Sequence, residues 1–344
     1  MKLVRFVCAC MTLLLLTACV RQPETAETEN PCRTEVLAMD TIMTLTVYDQ
    51  PAEKGMAILS QAVRQIEELE ALLSVTAETS EIYRANHGEG LPLSEPTREL
   101  LSEALALCES TGGTLDVTVY PVVRAWGFTT QKYRVPDETE LTELLKNVGY
   151  AKVSLDGETL TLPAGVELDL GAVAKGFTGD RLMEFFASQG VTSAIAELGG
   201  NVQALGCKPD GSPWRVALRA PEGGYAAVLE IADKAVVTSG GYQRYFEQDG
   251  KTYIHIIDPE TGRPAETGLA SVTIVADSGT MSDGLSTALF VMGREDAEQY
   301  WRTRQDFDFI LLTEEGNAVI TEGLEQDFTL YGEWEGRPLE VIRR

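Results

Sequence analysis

The chain has 344 residues, with 28 Lys or Arg against 53 Asp or Glu, a formal net charge of −25 and a pI near 4.4. A surface this acidic repels phosphate backbones, which excludes nucleic acid as a general partner. With 44% hydrophobic and 24% charged residues the composition is that of a globular protein with a sizeable core, and only 2 histidines, His87 and His255, can supply imidazole chemistry.

In chain order, Lys2 and Arg5 precede an apolar run through Leu13, Leu14, Leu15 and Leu16 that ends at Ala18. The run is short for a bilayer span and reads as a secretory signal over residues 1–18. Leu16-Thr17-Ala18-Cys19 resembles the cleavage box of bacterial lipoproteins, in which the cysteine is acylated; the plainer alternative is a signal peptide with a chance cysteine. Lipid on Cys19 predicts anchoring to the membrane at the extracytoplasmic side of the cell envelope. Residues 19–34 then form the acylated cysteine and a flexible tether, being polar, acidic and proline-containing over 21–31. Cys32, Cys108 and Cys207 remain beyond it, an odd set without a CxxC pair, so one disulfide is compatible with export but its pairing is open.

The folded domain is expected over residues 35–344. Alternation and β-branched residues predict a strand over 38–48, and apolar positions at helical spacing predict a helix over 52–73. A second helix is expected over 95–109, stopped by Gly112-Gly113, and a third over 137–147, followed by a hairpin around Asp156-Gly157. An apolar strand ending at Asp169 leads through a glycine turn into a helix that runs to Gly190. Strands over 214–219, 226–231 and 252–257 follow one another without helices between them. That order predicts an α+β fold with mixed, largely antiparallel sheets. It is not a Rossmann fold: no G-x-G-x-x-G or Walker motif is present, since Phe177 stands where the Walker lysine would follow Gly176.

Four segments concentrate chemistry. Asp169 to Lys175 joins a carboxylate, a glycine turn and a cation at a helix start, a place suited to phosphate or to a plain strand–helix junction. Glu197-Leu198-Gly199-Gly200-Asn201 brings an amide to a double-glycine turn, and is by itself most simply a turn. His255 lies in Ile254-His255-Ile256-Ile257-Asp258-Pro259-Glu260-Thr261-Gly262-Arg263-Pro264; a lone strand histidine is more often structural than catalytic. Asp283 and Thr287 stand one helical turn apart, hard oxygen donors of the kind Mg²⁺ accepts, or else a helix-start acid and a bystander.

Together and in this order, these segments resemble the ApbE family of FAD:protein FMN transferases. The resemblance runs from about Met39 to Phe290 and includes Met39-Asp40-Thr41, Asp116-Val117-Thr118-Val119-Tyr120-Pro121, Trp126-Gly127-Phe128 and Thr238-Ser239-Gly240-Gly241-Tyr242. It implies a two-lobed single domain with the flavin in a central cleft. The implied reaction is Mg²⁺-dependent transfer of the FMN half of FAD to a Thr or Ser hydroxyl of an exported acceptor, with release of AMP. The implied acceptors are subunits of membrane redox complexes or secreted reductases. Matched by motif, Ala172 (through its carbonyl), Asp283 and Thr287 would hold the metal. Met39, Thr76, Thr114, Leu115, Asp116, Asp169, Lys175, His255 and Ile256 would hold FAD, and His255 would be the base. The sequence departs from the family at Thr76 and Leu115, where aromatics are common, at Ile254, where a second His is common, and at Gly284, where Ala is usual. Two other readings are an FAD pyrophosphatase that gives FMN and AMP, and an FAD-binding lipoprotein without catalysis.

Overall fold

The computed structural model describes residues 31–90 and 92–344. The expected signal, Cys19 and the tether up to residue 30 lie outside the described residues. At its centre is a nine-stranded sheet with the spatial order Cys32–Ala38, Thr41–Val47, Ala194–Leu198, Asn201–Leu205, Ala235–Gly240, Leu269–Ala276, Phe307–Thr313, Ala318–Thr321, Leu339–Ile342. Every neighbouring pair is antiparallel except the last, which is parallel, as the run of strands without intervening helices predicts.

Both faces of this sheet are covered. Side chains alternate across a strand, so Phe307, Phe309 and Leu311 join Val272 and Ile274 under the helices, while Ile310 and Leu312 join Val275 on the opposite side. The helical face carries Ala174–Ser188 and Gly279–Arg302. Over the other face lies a three-stranded sheet, ordered Phe328–Leu330, Tyr225–Ile231, Trp214–Arg219, which buries Trp214, Val216 and Leu229. A smaller cluster around Trp126, Phe128, Leu141 and Phe246 supports the His255 segment. Among the described residues no helix is long and apolar enough to cross a membrane.

The expected helix over 52–73 is found as Ala52–Leu73, and the next two as Glu95–Ser110 and Glu138–Leu145, the last capped by the Asp137 side chain on the Glu140 amide at 2.9 Å. The hairpin pairs Ser154–Asp156 with Thr159–Thr161. Four local expectations need correction. The first strand starts at Cys32, inside the expected tether, because it pairs along its full length with Thr41–Val47. Met39 and Asp40, expected within a strand, are instead the two-residue turn of that hairpin, with φ of 49° and 60°. The apolar stretch before Asp169 belongs to no strand. The strand expected over 252–257 ends at Ile254, where its pairing with Tyr245 ends, so His255 stands just past the strand. Cys32, Cys108 and Cys207 are all free thiols.

Candidate active site

Asp283 and Thr287 project from the second and third turns of Gly279–Arg302. That helix start is fixed twice. Its own Ser278 side chain accepts from the Met281 amide at 3.1 Å, and Asp180, from the neighbouring helix, accepts from the amides of Gly279 at 2.6 Å and Thr280 at 2.8 Å. The two helices touch through glycine: a Cβ on Gly176 would collide with the Gly279 carbonyl and come within 2.8 Å of the Asp283 Cβ. At this contact the Gly176 amide donates to Oδ2 of Asp283 at 2.9 Å. The carbonyl of Ala172, four residues back, is thereby deprived of its helical partner and accepts no hydrogen bond among the described residues.

A chain of hydroxyls orders Thr287. Ser286 donates to the Asp283 carbonyl at 2.8 Å, so its oxygen accepts from Ser239, also at 2.8 Å. Ser239 has then spent its proton and accepts from Thr287 at 3.2 Å. The lone pairs of Thr287 are left open. Asn201, placed by the Gly199-Gly200 turn, is buried beside Asp283, whose pKa its side chain helps to lower, and its Nδ2 makes no hydrogen bond of good geometry among the described residues. Burial raises the Asp283 pKa, which the positive charge of Lys175 and the Gly176 amide oppose. A buried carboxylate, a freed carbonyl, an open hydroxyl and the Asn201 amide are a donor set that fits Mg²⁺ together with phosphate oxygens.

Lys175 stands between this group and a second one. It lies in the first turn of Ala174–Ser188, has no ion pair among the described residues, and acts electrostatically on Asp283, Asp169 and His255 alike. Asp169 accepts from the Gly171 amide at 2.8 Å, and burial raises its pKa against the pull of that amide and of two cations, Lys175 and Arg244. The carbonyl of Arg244 receives the main-chain amide of His255 at 3.1 Å and also its Nδ1 at 3.1 Å. Nδ1 therefore carries the proton, and Nε2 presents a lone pair. Burial, with help from the positive charges of Arg244 and Lys175, holds the His255 pKa down at about 4. Behind the imidazole, Asp258 folds the following turn by accepting from the Glu260 amide and the Thr261 hydroxyl, each at 2.9 Å. Trp126 locks that turn by donating to the Gly262 carbonyl at 2.8 Å.

The remaining candidate residues divide by contact. Met39 reaches the same helix one turn beyond Lys175, its sulfur accepting from Thr178 at 3.8 Å, while its amide donates to Glu70 at 2.7 Å. Leu115 packs against Gly284, next to Asp283, and the nearby Asp169 amide donates to the Val117 carbonyl at 2.8 Å. Gly284 sits where an added Cβ would be 2.9 Å from Leu107, so the small residue permits close packing at that turn. Asp116 is buried with both oxygens engaged, by Thr118 and by the Tyr150 amide at 2.8 Å, and so shapes the segment from below. The Thr114 hydroxyl donates to the Thr111 carbonyl at 3.1 Å. Ile256 is buried, and its carbonyl accepts from the Ala265 amide at 2.9 Å. Thr76 is exposed and bonds only to Ser74, so no contact ties it to Lys175 or His255. Three contributors were not assigned roles from sequence. Ser239 lies in the noted Thr238-Ser239-Gly240 run, which marked its position but not its task; Asp180 and Arg244 carried no local signal.

The ApbE family profile matches residues 39–311. A FAD:protein FMN transferase of Vibrio cholerae is 36% identical over 298 residues, covering 83% of this chain and 87% of that protein. One from Treponema pallidum is 35% identical, covering 75% and 78%. The crystal structure of an ApbE protein from Thermotoga maritima superposes with a TM-score of 0.81 at 32% identity, over 87% of this chain and 99% of that one. The family match, the identity over most of the chain and the fold agree, and the chain belongs to the ApbE family.

Proposed function

We propose that this chain is a Mg²⁺-dependent FAD:protein FMN transferase that links the FMN half of FAD to a Thr or Ser hydroxyl of exported acceptor proteins and releases AMP. The observation that carries this reading is that Asp283, Asp169 and His255 all feel the charge of one lysine, Lys175. Ala172, Asp283 and Thr287 would hold the metal, which when bound neutralises diphosphate charge.

The chain's own residues account for the rest. Lys175 binds diphosphate oxygens and offsets their charge against the two carboxylates. Nε2 of His255 takes the proton of the acceptor hydroxyl as its oxygen bonds to the phosphorus on the flavin side. The bond from that phosphorus to the bridging oxygen breaks, and AMP leaves with the bridging oxygen. A histidine kept neutral is ready to accept this proton throughout the neutral range. Met39 and Leu115 give the isoalloxazine apolar surface.

We also propose that Cys19 is acylated and holds the enzyme at the outer side of the membrane, facing exported acceptors of redox complexes or secreted reductases. Incubation with FAD, Mg²⁺ and a candidate acceptor tests the reaction: the acceptor gains the mass of FMN as AMP appears. Free FMN with an unlabelled acceptor would instead establish the pyrophosphatase. Palmitate labelling that survives Cys19→Ala would overturn the anchor.

A further inference from the structure

Arg244 is exposed, and among the described residues its guanidinium has neither a hydrogen bond nor an ion pair. Arg84, Arg98, Arg124, Arg134 and Arg181 each have a carboxylate partner, whereas Arg244, like the exposed Arg64 and Arg219, has none among the described residues. Its place is set by the hairpin Tyr245–Gln248 with Lys251–Ile254, whose last pair is Tyr245 with Ile254. Arg244 and His255 therefore face each other one step past the ladder, joined by the two bonds to the Arg244 carbonyl. Lys175, from the helix Ala174–Ser188, acts electrostatically on the same imidazole and the same Asp169. Two cations without ion-pair partners thus flank one histidine and one carboxylate. Asp169 and, for Lys175, Asp283 are the carboxylates that feel this pair, yet neither cation forms an ion pair with them among the described residues, so both keep their donors for an anion with charge on two adjacent groups.

We propose that Arg244 is a second phosphate-binding residue of this site: its guanidinium shares the diphosphate of the dinucleotide with Lys175, while its main-chain carbonyl sets the ring of His255. The inference rests on the transferase reading and adds to it a residue for the leaving half of the substrate. The fork of an arginine suits two phosphate oxygens, whereas lysine offers a point charge.

The test uses the full chain and its Arg244→Gln and Arg244→Lys variants, with the backbone carbonyl present in all three. ADP, which carries the diphosphate without flavin, and FAD are titrated by calorimetry, and the fold is followed by thermal unfolding. Arg244→Gln is expected to weaken ADP and FAD about 10–100-fold with an unchanged unfolding midpoint, and Arg244→Lys to recover part of the loss. The charged groups acting on the imidazole are Arg244 and Lys175. Removing one cation should move the acid limb of kcat/KM to higher pH in Arg244→Gln and leave it in place in Arg244→Lys, a change that a purely structural role would not produce. Unchanged ADP affinity with an unmoved acid limb would overturn the proposal, as would a loss of ADP binding accompanied by a fallen midpoint in both variants. If the unmodified chain neither binds FAD nor labels an acceptor, the transferase reading fails; if it does both and Arg244→Gln matches it, only the role of Arg244 fails.

Discussion

The amide of Gly176 donates to Oδ2 of Asp283 at 2.9 Å in place of the helical bond to the Ala172 carbonyl. One exchange of partners orients a carboxylate and frees a carbonyl beside it. It depends on the absence of a side chain at Gly176, where the Gly279 carbonyl closes in.

Gly176→Ala should therefore separate the helices. Overpacking of this kind typically costs about 1–3 kcal/mol, and Asp283 and the Ala172 carbonyl, the proposed metal donors, should shift with it. The expected result is a lower unfolding midpoint together with a higher Mg²⁺ concentration for half-maximal FMN transfer. A variant with unchanged midpoint and unchanged Mg²⁺ response would refute the tight-contact account.

Asp283→Asn keeps the shape of the side chain and removes a charge that burial disfavours. Without metal the variant should be at least as stable as the parent. Added Mg²⁺ should raise the parent's melting temperature through binding to the folded state and leave that of Asp283→Asn unmoved, which differential scanning fluorimetry would read. Transfer should fall by more than about 100-fold, since charge neutralisation at the diphosphate is lost.

Ser239→Ala breaks the relay that runs from Thr287 to Ser286. Outer-shell changes of this kind typically weaken metal binding about 10–100-fold. The loss should appear as a raised Mg²⁺ requirement that saturating Mg²⁺ largely restores, measured by initial transfer rates.

If His255 is the base proposed above, its pKa, held down at about 4, should set the acid side of the rate profile. Protonation removes the base, so kcat/KM should stay level on descending through pH 6.5 and fall only near pH 4–5. The stability sign follows from linkage. The unfolded chain binds this proton near pH 6.5 and the folded one near 4, so this contribution to stability is present at neutral pH and is lost as pH falls between those values. His255→Gln should lower the rate about 10²–10⁴-fold and flatten that part of the stability profile, as followed by urea unfolding across pH.

Met39 occupies a left-handed turn position, with φ of 49°, that costs a non-glycine residue about 1 kcal/mol. Met39→Asn should raise the unfolding midpoint slightly while weakening FAD binding, because a thioether surface is exchanged for an amide. Simultaneous gains in stability and in affinity would remove Met39 from the flavin site.

The long helices, the hairpin at Asp156-Gly157 and the antiparallel order of the strands are local matters, written in periodicity, capping residues and turn dipeptides. Residue order likewise marked Asp169, Lys175, His255 and Asp283 in segments that are weak signals singly, and only their resemblance, together and in order, to a known family gave them roles. Met39-Asp40 was not legible as a turn, since neither residue is a usual left-handed one and pairing of the flanking strands imposes it. The same holds for the strand end at Ile254, which depends on where its partner stops. Asp180 on the Gly279 amide, Ser239 against Thr287 and Arg244 beside His255 join segments far apart in the chain, and no periodicity encodes such meetings. By itself, then, the sequence determined which chemical groups this protein possesses and which elements carry them. Only the packed fold decided which amide Asp283 takes, which carbonyl is left free and which ring nitrogen of His255 stays open, because hydrogen-bond partners are assigned by close packing across the core.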